Sequence, residues 1–142
     1  MPRWLVVCTG NTCRSPLLAA LLRQKAAAAG LALTVDSAGT AAGEGDSASV
    51  GTVRALARRG IILNDHRSRP LPADLSVYDR IWCMTSRHAA AVRALGVPPE
   101  RLGVVAADQG GVPDPFGGDD GEYEACARVL ESEAVRLLGG GR

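Results

Sequence analysis

Four short apolar runs recur along the chain, and most are followed by a polar turn and then a stretch with helical spacing. Residues 3–8, RWLVVC, are a valine-rich run of the kind that forms a buried strand. The polar turn TGNTCRSP comes next, and 17–29, LLAALLRQKAAAA, is built from strong helix formers. Ser15 is suited to cap that helix, Pro16 to its first position and Gly30 to its end. A second strand is expected over 32–38 and a helix over 49–59, with Val50, Val53, Leu56 and Ala57 inward and Gly60 as its stop. Residues 64–76 hold two prolines and many polar groups, which predicts a long loop with room for a short helical turn. A third strand at 79–84 leads to a helix at 86–95 that stops at Gly96, and a fourth strand is expected at 102–107. Residues 108–121, DQGGVPDPFGGDDG, read as loop. The last helix, 122–138, presents Val129, Leu130, Val135, Leu137 and Leu138, and the glycine-rich end at 139–142 is expected to fray. Strands alternating with helices imply an α/β fold, a parallel sheet covered on both faces, whose ligands sit at the carboxyl ends of the strands.

Composition narrows the classes. The chain has 142 residues, 46% hydrophobic and 22% charged, which fits one globular domain spanning 1–142 and not a disordered segment. A net charge of +1 gives no basic field for nucleic acid. No run approaches the roughly 20 apolar residues of a membrane span, and Met1 to Cys8 lacks the apolar stretch of a signal peptide, so a cytoplasmic protein is expected. There the four cysteines, Cys8, Cys13, Cys83 and Cys126, should be reduced thiols. Only Cys8 and Cys13 are close in sequence, and His66 and His88 are far apart, so no structural metal is expected.

The chemistry concentrates in Cys8–Ser15, C-T-G-N-T-C-R-S, between the first strand and the first helix. At such a junction the backbone N–H groups of Thr9, Gly10, Asn11, Thr12, Cys13, Arg14 and Ser15 can form an anion cradle. Cys8 stands at its mouth. Arg14 can fork two oxygens of a phosphate, and Ser15 can bond the sulfur or merely cap the helix. Asn11 tolerates the left-handed backbone that such a nest needs, and Gly10 lets the backbone approach a ligand. A thiol beside a guanidinium and a helix N-terminus is expected to react as the thiolate. The motif thus joins a nucleophile to an oxyanion clamp, the pair that attack on phosphorus requires. A leaving group also needs a proton. Asp114, stiffened by Pro113 and Pro115 in the loop after the fourth strand, is the candidate acid.

Five motifs in order, VCTGNTCRSP at 7–16, DSAGT at 36–40, HRSRPL at 66–71, DRIWCM at 79–84 and DPFGG at 114–118, make the chain resemble the low-molecular-weight protein-tyrosine phosphatases over nearly its whole length. The resemblance implies a three-layer sandwich with a four-stranded parallel sheet flanked by helices, and no metal or organic cofactor. It also implies a monomeric enzyme acting on phosphorylated proteins, with neither nucleic acid nor membrane as partner. By the same resemblance Cys8 is the nucleophile that becomes phosphocysteine. Arg14 binds the phosphoryl group, and Asp114 serves as acid and then as base. Ser15 stabilises the thiolate, while Asn11, Ser37 and His66 hold the loop in shape.

Tyrosine-specific members usually carry a bulky aliphatic residue just before the second loop cysteine. This chain has Thr12, and with its CTGNTCRSP and DPFGG runs it is more similar to the bacterial protein-arginine phosphatases. A guanidinium leaving group is polar and planar and gains from a hydroxyl and a carboxylate, here Thr12 and Asp114. Phosphoarginine is therefore the expected substrate, with phosphotyrosine as the alternative. Arsenate reduction is a weaker reading, because Cys83 has no partner to complete a thiol relay. A phosphate sensor without turnover would not need both Cys8 and Asp114. Cys13 could also trap an oxidised Cys8 as a reversible disulfide.

Overall fold

The computed structural model describes residues 1–140. Strand β1 (Arg3–Cys8) carries Leu5, Val6 and Val7 with no solvent exposure, as a central parallel strand buried on both faces must. Its neighbours are β2 (Thr34–Gly39) on one side and β3 (Arg80–Cys83) on the other, with β4 (Leu102–Val104) at the edge beyond β3. All pairings are parallel. Successive side chains of β1 alternate between two cores, as strand geometry demands. Val6 and Cys8 pack with Leu17, Leu21, Leu56 and Leu130 from helices α1 (Arg14–Ala28), α2 (Val50–Ala57) and α4 (Asp120–Leu138). Leu5 and Val7 face the other way, toward Val92 of α3 (Ser86–Ala94) and Leu75 and Tyr78 of the preceding loop. The result is the expected three-layer sandwich, with one outer layer made partly of loop.

The strand order fixes where a ligand can sit. From β1 the chain crosses to β2 on one side and then back past β1 to β3. The carboxyl end of β1, which is Cys8, lies at that reversal, where crossovers diverge and leave a crevice.

Several boundaries differ from the sequence reading. Helix α1 begins at Arg14, with Cys13 in the capping position and no side-chain cap, so Ser15 lies inside the first turn and is not the N-cap. Strand β4 ends at Val104, although the apolar run continues. Val105 and Ala106 are buried, but the chain turns at Ala106 (φ 52°), whose N–H is held by the buried carboxylate of Glu133 from α4. Burial there comes from a turn tucked under a helix and not from a strand. Residues 64–76 contain no helical turn, only an isolated bridge from Pro70 to Gly39.

Helix α4 starts at Asp120, two residues early, because the Asp119 carboxylate accepts the Glu122 N–H at 2.9 Å. Its buried stripe is Tyr123, Cys126, Ala127, Leu130, Glu133, Ala134 and Leu137, and Val135 is exposed. Gly139 caps it, and residues 141 and 142 of the glycine-rich end lie outside the described residues. Helix α2 likewise buries Thr52, Ala55 and Leu56 and leaves Val50 and Ala57 exposed.

The rotation of α2 has a visible cause. Gly51 lies against the ring of Tyr123, and a Cβ there would come within 2.3 Å of the ring carbon Cδ2. A larger residue would lift α2 from α4. Gly51→Ala is expected to destabilise the protein by about 1–3 kcal/mol, because overpacking at a rigid ring outweighs the helix-propensity gain of at most about 1 kcal/mol. The urea midpoint measures this, and an unchanged or higher midpoint would show that Tyr123 yields without cost.

Candidate active site

The loop from Cys8 to Ser15 closes on itself around one sulfur. Cys8 Sγ lies 2.9 Å from Ser15 Oγ and accepts the Asn11 N–H at 3.3 Å. Ser15 reaches the sulfur because α1 starts at Arg14, which turns its hydroxyl back toward the strand end. Of the two roles open to Ser15, capping the helix and bonding the sulfur, the structure has its hydroxyl on the sulfur.

Asn11 sits at the bend with φ 57° and is fully buried. Its amide nitrogen donates to Ser15 Oγ at 2.8 Å and to Ser37 Oγ at 2.9 Å. Its side-chain oxygen accepts the Arg69 N–H at 3.0 Å, and its carbonyl accepts from His66 Nε2 at 2.7 Å. Ser37 and His66 are therefore brought together on Asn11, and His66 is not a solvent-facing histidine. Burial pushes the His66 imidazole below its usual range and Arg23 adds to that, while the bond to Asn11 opposes it. A neutral ring with its proton on Nε2 fits the carbonyl it faces.

Arg14 is buried by α1 and the loop after β4. Its Nη1 donates to the Val112 carbonyl at 2.9 Å, and Nη2 lies 3.4 Å from Thr9 Oγ1 and 3.6 Å from Asp114 Oδ2. Its Nε is buried and has no hydrogen-bond partner among the described residues. Asp114 is half-exposed, and its Oδ1 accepts the Phe116 N–H at 3.1 Å, which folds the acidic loop over the cradle. Cys8, Thr9, Gly10, Thr12, Cys13, Arg14, Asp114 and exposed Phe116 together line a cleft of about 210 Å³. A larger groove of about 830 Å³ runs behind the loop past Arg23, His66 and Arg69, but it does not touch Cys8. The smaller cleft is the candidate site because the thiol, the guanidinium and the carboxylate all open onto it.

Cys13 stands in the capping position of α1. Its sulfur lies 3.3 Å from both Ser49 Oγ and Tyr123 Oη, and burial first, then the bond to Cys13, pushes the Tyr123 phenol up to about 12. At Gly10 a Cβ would meet nothing closer than Thr12 Oγ1 at 3.8 Å, so the protein itself does not require glycine there. A glycine that the loop does require is Gly39, at the end of β2. A Cβ there would lie 2.3 Å from the Thr9 carbonyl oxygen, so the β2 backbone presses directly on the loop.

Two contributors escaped the sequence reading. In the sequence Gly39 stands out only as part of the DSAGT run, and His88 only as a histidine too distant from His66 for a metal pair. His88 Nε2 in fact lies 2.8 Å from Thr9 Oγ1. Its placement in the first turn of a helix that follows a central strand is the signal that could have found it, since that turn borders the carboxyl end of β1.

The chain is similar to known proteins over nearly all of its length. The family model for low molecular weight phosphotyrosine protein phosphatase matches residues 3–140. A protein-arginine-phosphatase of Bacillus subtilis is 36% identical over 140 residues, covering 94% of this chain and 92% of the relative. A low molecular weight protein-tyrosine-phosphatase of Streptomyces coelicolor is 37% identical over 148 residues, covering 93% and 88%. Among solved structures, a cysteine-to-serine mutant of YwlE arginine phosphatase with a phosphorylated active-site serine superposes with a TM-score of 0.90 at 33% identity, covering 97% of this chain and 94% of that one. Sheet order, loop and family model agree, and the chain belongs to the low molecular weight phosphotyrosine protein phosphatase family.

Proposed function

We propose that this enzyme dephosphorylates protein side chains, phosphoarginine foremost, through a phosphocysteine at Cys8. The observation that carries the reading is the convergence on one cleft of Cys8, bonded by Ser15 and the Asn11 N–H, with the buried Arg14 and the carboxylate of Asp114. The Cys8 thiolate attacks phosphorus and forms the S–P bond as the P–N bond to the substrate guanidine breaks. Asp114 gives its proton to the leaving nitrogen. Water then attacks phosphorus and Asp114 takes the water proton. The S–P bond breaks, with the sulfur leaving as thiolate stabilised by Ser15. Arg14 and the loop amides hold the phosphoryl oxygens throughout. The related YwlE structure, whose active-site serine is phosphorylated, supports a covalent intermediate at this position of the fold.

Relatives named for arginine and for tyrosine are almost equally identical to this chain, so the residues of the cleft decide the substrate. Thr12 lines the cleft with Asp114, so a hydroxyl and a carboxylate face the leaving group where an apolar wall would suit a phenyl ring. The arsenate reading loses support. Cys83 is buried in the core on the far face of the sheet, Cys126 lies on the buried face of α4, and burial pushes both thiols up to about 12. All four cysteines are free, and no helix among the described residues is long and apolar enough to cross a membrane. The same reading makes this a cytoplasmic enzyme that works as a monomer on phosphorylated proteins.

Cys8→Ser should abolish turnover of a phosphoarginine peptide. Asp114→Asn should lower kcat by about 10²–10⁴-fold with KM little changed, and steady-state kinetics separate this from a phosphate sensor, whose binding would survive both changes. Thr12→Ile is expected to shift the ratio of kcat/KM for phosphoarginine over phosphotyrosine peptides toward tyrosine by about 10–100-fold. An unchanged ratio would remove Thr12 as the selector.

Mild peroxide should inactivate the enzyme reversibly. Peroxide oxidises the Cys8 thiolate to sulfenic acid, the Cys13 thiol attacks that sulfur, and water leaves as the disulfide forms. Added dithiol restores both thiols and activity. Mass spectrometry of the oxidised protein should show a Cys8–Cys13 crosslink, and its absence in inactivated protein would eliminate this off-state.

A further inference from the structure

Arg14 has three sets of N–H groups, and the structure uses them unequally. Nη1 is committed to the Val112 carbonyl at 2.9 Å, while Nε, though buried, has no hydrogen-bond partner among the described residues. Nε and Nη2 share one edge of the planar guanidinium, the edge that can fork two phosphoryl oxygens. Its orientation therefore depends on what holds Nη2. Besides Asp114, which is half-exposed, that is Thr9 Oγ1 at 3.4 Å.

One direction of the hydrogen-bond chain gives the Thr9 hydroxyl proton an acceptor. Arginine only donates, so the Thr9 oxygen accepts from Nη2. The single Thr9 hydroxyl proton is left for His88 Nε2, 2.8 Å away. In that direction His88 Nε2 is the unprotonated nitrogen. The ring proton is on Nδ1 and is donated to Thr85 Oγ1 at 2.9 Å. Thr85 is the N-cap of α3 and also accepts the backbone N–H of His88 at 3.3 Å, so the imidazole is held by the first turn of its own helix. The ring is buried, and burial, Arg14 and Arg87 all hold it below the usual imidazole range, with only Asp114 opposing, which keeps it neutral and able to accept.

We propose that His88 is a positioning residue: by accepting the Thr9 hydroxyl it locks the Thr9 oxygen toward Arg14 and so sets the Nε–Nη2 edge for the phosphoryl group. The inference rests on the phosphatase reading above and adds to it a residue from α3, on the opposite side of the sheet from α1. Without His88 the Thr9 proton loses its acceptor. The hydroxyl can then rotate its proton toward Arg14, where two donors would face each other.

The test uses the full chain with phenyl phosphate as substrate and inorganic phosphate as inhibitor. Variants are Thr9→Val, His88→Phe, the double variant, and His88→Gln, whose side-chain oxygen can stand where Nε2 accepts. Each single loss is expected to weaken phosphate inhibition and kcat/KM by about tenfold, the size of one hydrogen bond at a charged group. The double variant should be no worse than either single one, and His88→Gln should recover most of the loss. Nitrogen-15 NMR of the wild-type protein should show His88 neutral at pH 7 with its proton on Nδ1, a reading that does not depend on any variant folding. Additive losses, a His88→Gln variant as weak as His88→Phe, or a proton on Nε2 would each overturn the role of His88. A wild-type chain that fails to hydrolyse phenyl phosphate would instead overturn the phosphatase reading itself.

Discussion

Asn11 is the constraint on which the site depends. A non-glycine residue in the left-handed region costs roughly 1–2 kcal/mol, and here that cost is offset by complete hydrogen bonding in a buried position. Its backbone N–H goes to the Cys8 sulfur, its carbonyl to His66, its side-chain nitrogen to Ser15 and Ser37, and its side-chain oxygen to Arg69. One residue thus ties the loop to β2, to the helix it precedes and to the long loop that crosses the sheet edge. The bend turns the Asn11 amide toward the sulfur, and the same bonds prevent it from relaxing. The loop is therefore held in place around Cys8, the condition under which fixed dipoles stabilise charge most effectively.

Around that hub the layers of the fold divide the work. Strand β1 ends in Cys8, the proposed nucleophile, and helix α1 begins with Arg14, so both follow from one strand-to-helix junction. Asp114, the proposed acid, arrives from a distant stretch of sequence, carried over the cleft by the loop after β4 and steadied by the Phe116 N–H. Support for the junction comes from both faces of the sheet. Tyr123 and Ser49 hold the Cys13 sulfur from the α2–α4 side, and His88 and Thr85 hold Thr9 from α3. Close packing supplies the remaining precision. The Gly39 backbone presses on the Thr9 carbonyl and Gly51 on the Tyr123 ring, so neither contact leaves room for even one methyl group.

The local rules of the chain announced much of this. Alternating apolar runs and helical stretches specified the parallel sheet because strand and helix periods differ, and α1 and α3 stop just before the glycines expected to end them, Gly30 and Gly96. The loop was legible because cysteine, glycine, asparagine, arginine and serine stand within eight residues of one another. Where the reading slipped, a tertiary contact had overruled a local preference. Ser15 looks like a cap by its neighbours, yet its hydroxyl is taken by the Cys8 sulfur and Asn11. Residues 105 and 106 look like strand by their apolarity, yet Glu133 holds them in a turn.

The sequence by itself determined the order of elements, the junction that carries Cys8 and Arg14, and the chemical types available at the cleft, because each of these depends on residues near one another along the chain. Only the tertiary structure decided which distant groups meet there. His88 and Thr9 are 79 positions apart and Cys13 and Tyr123 are 110 apart, and no periodicity or spacing rule encodes such pairings. They follow from the strand order, which places the β3–α3 turn beside the carboxyl end of β1, and from the packing of α4 on α1 and α2. Those arrangements are set by how the whole apolar surface is buried at once.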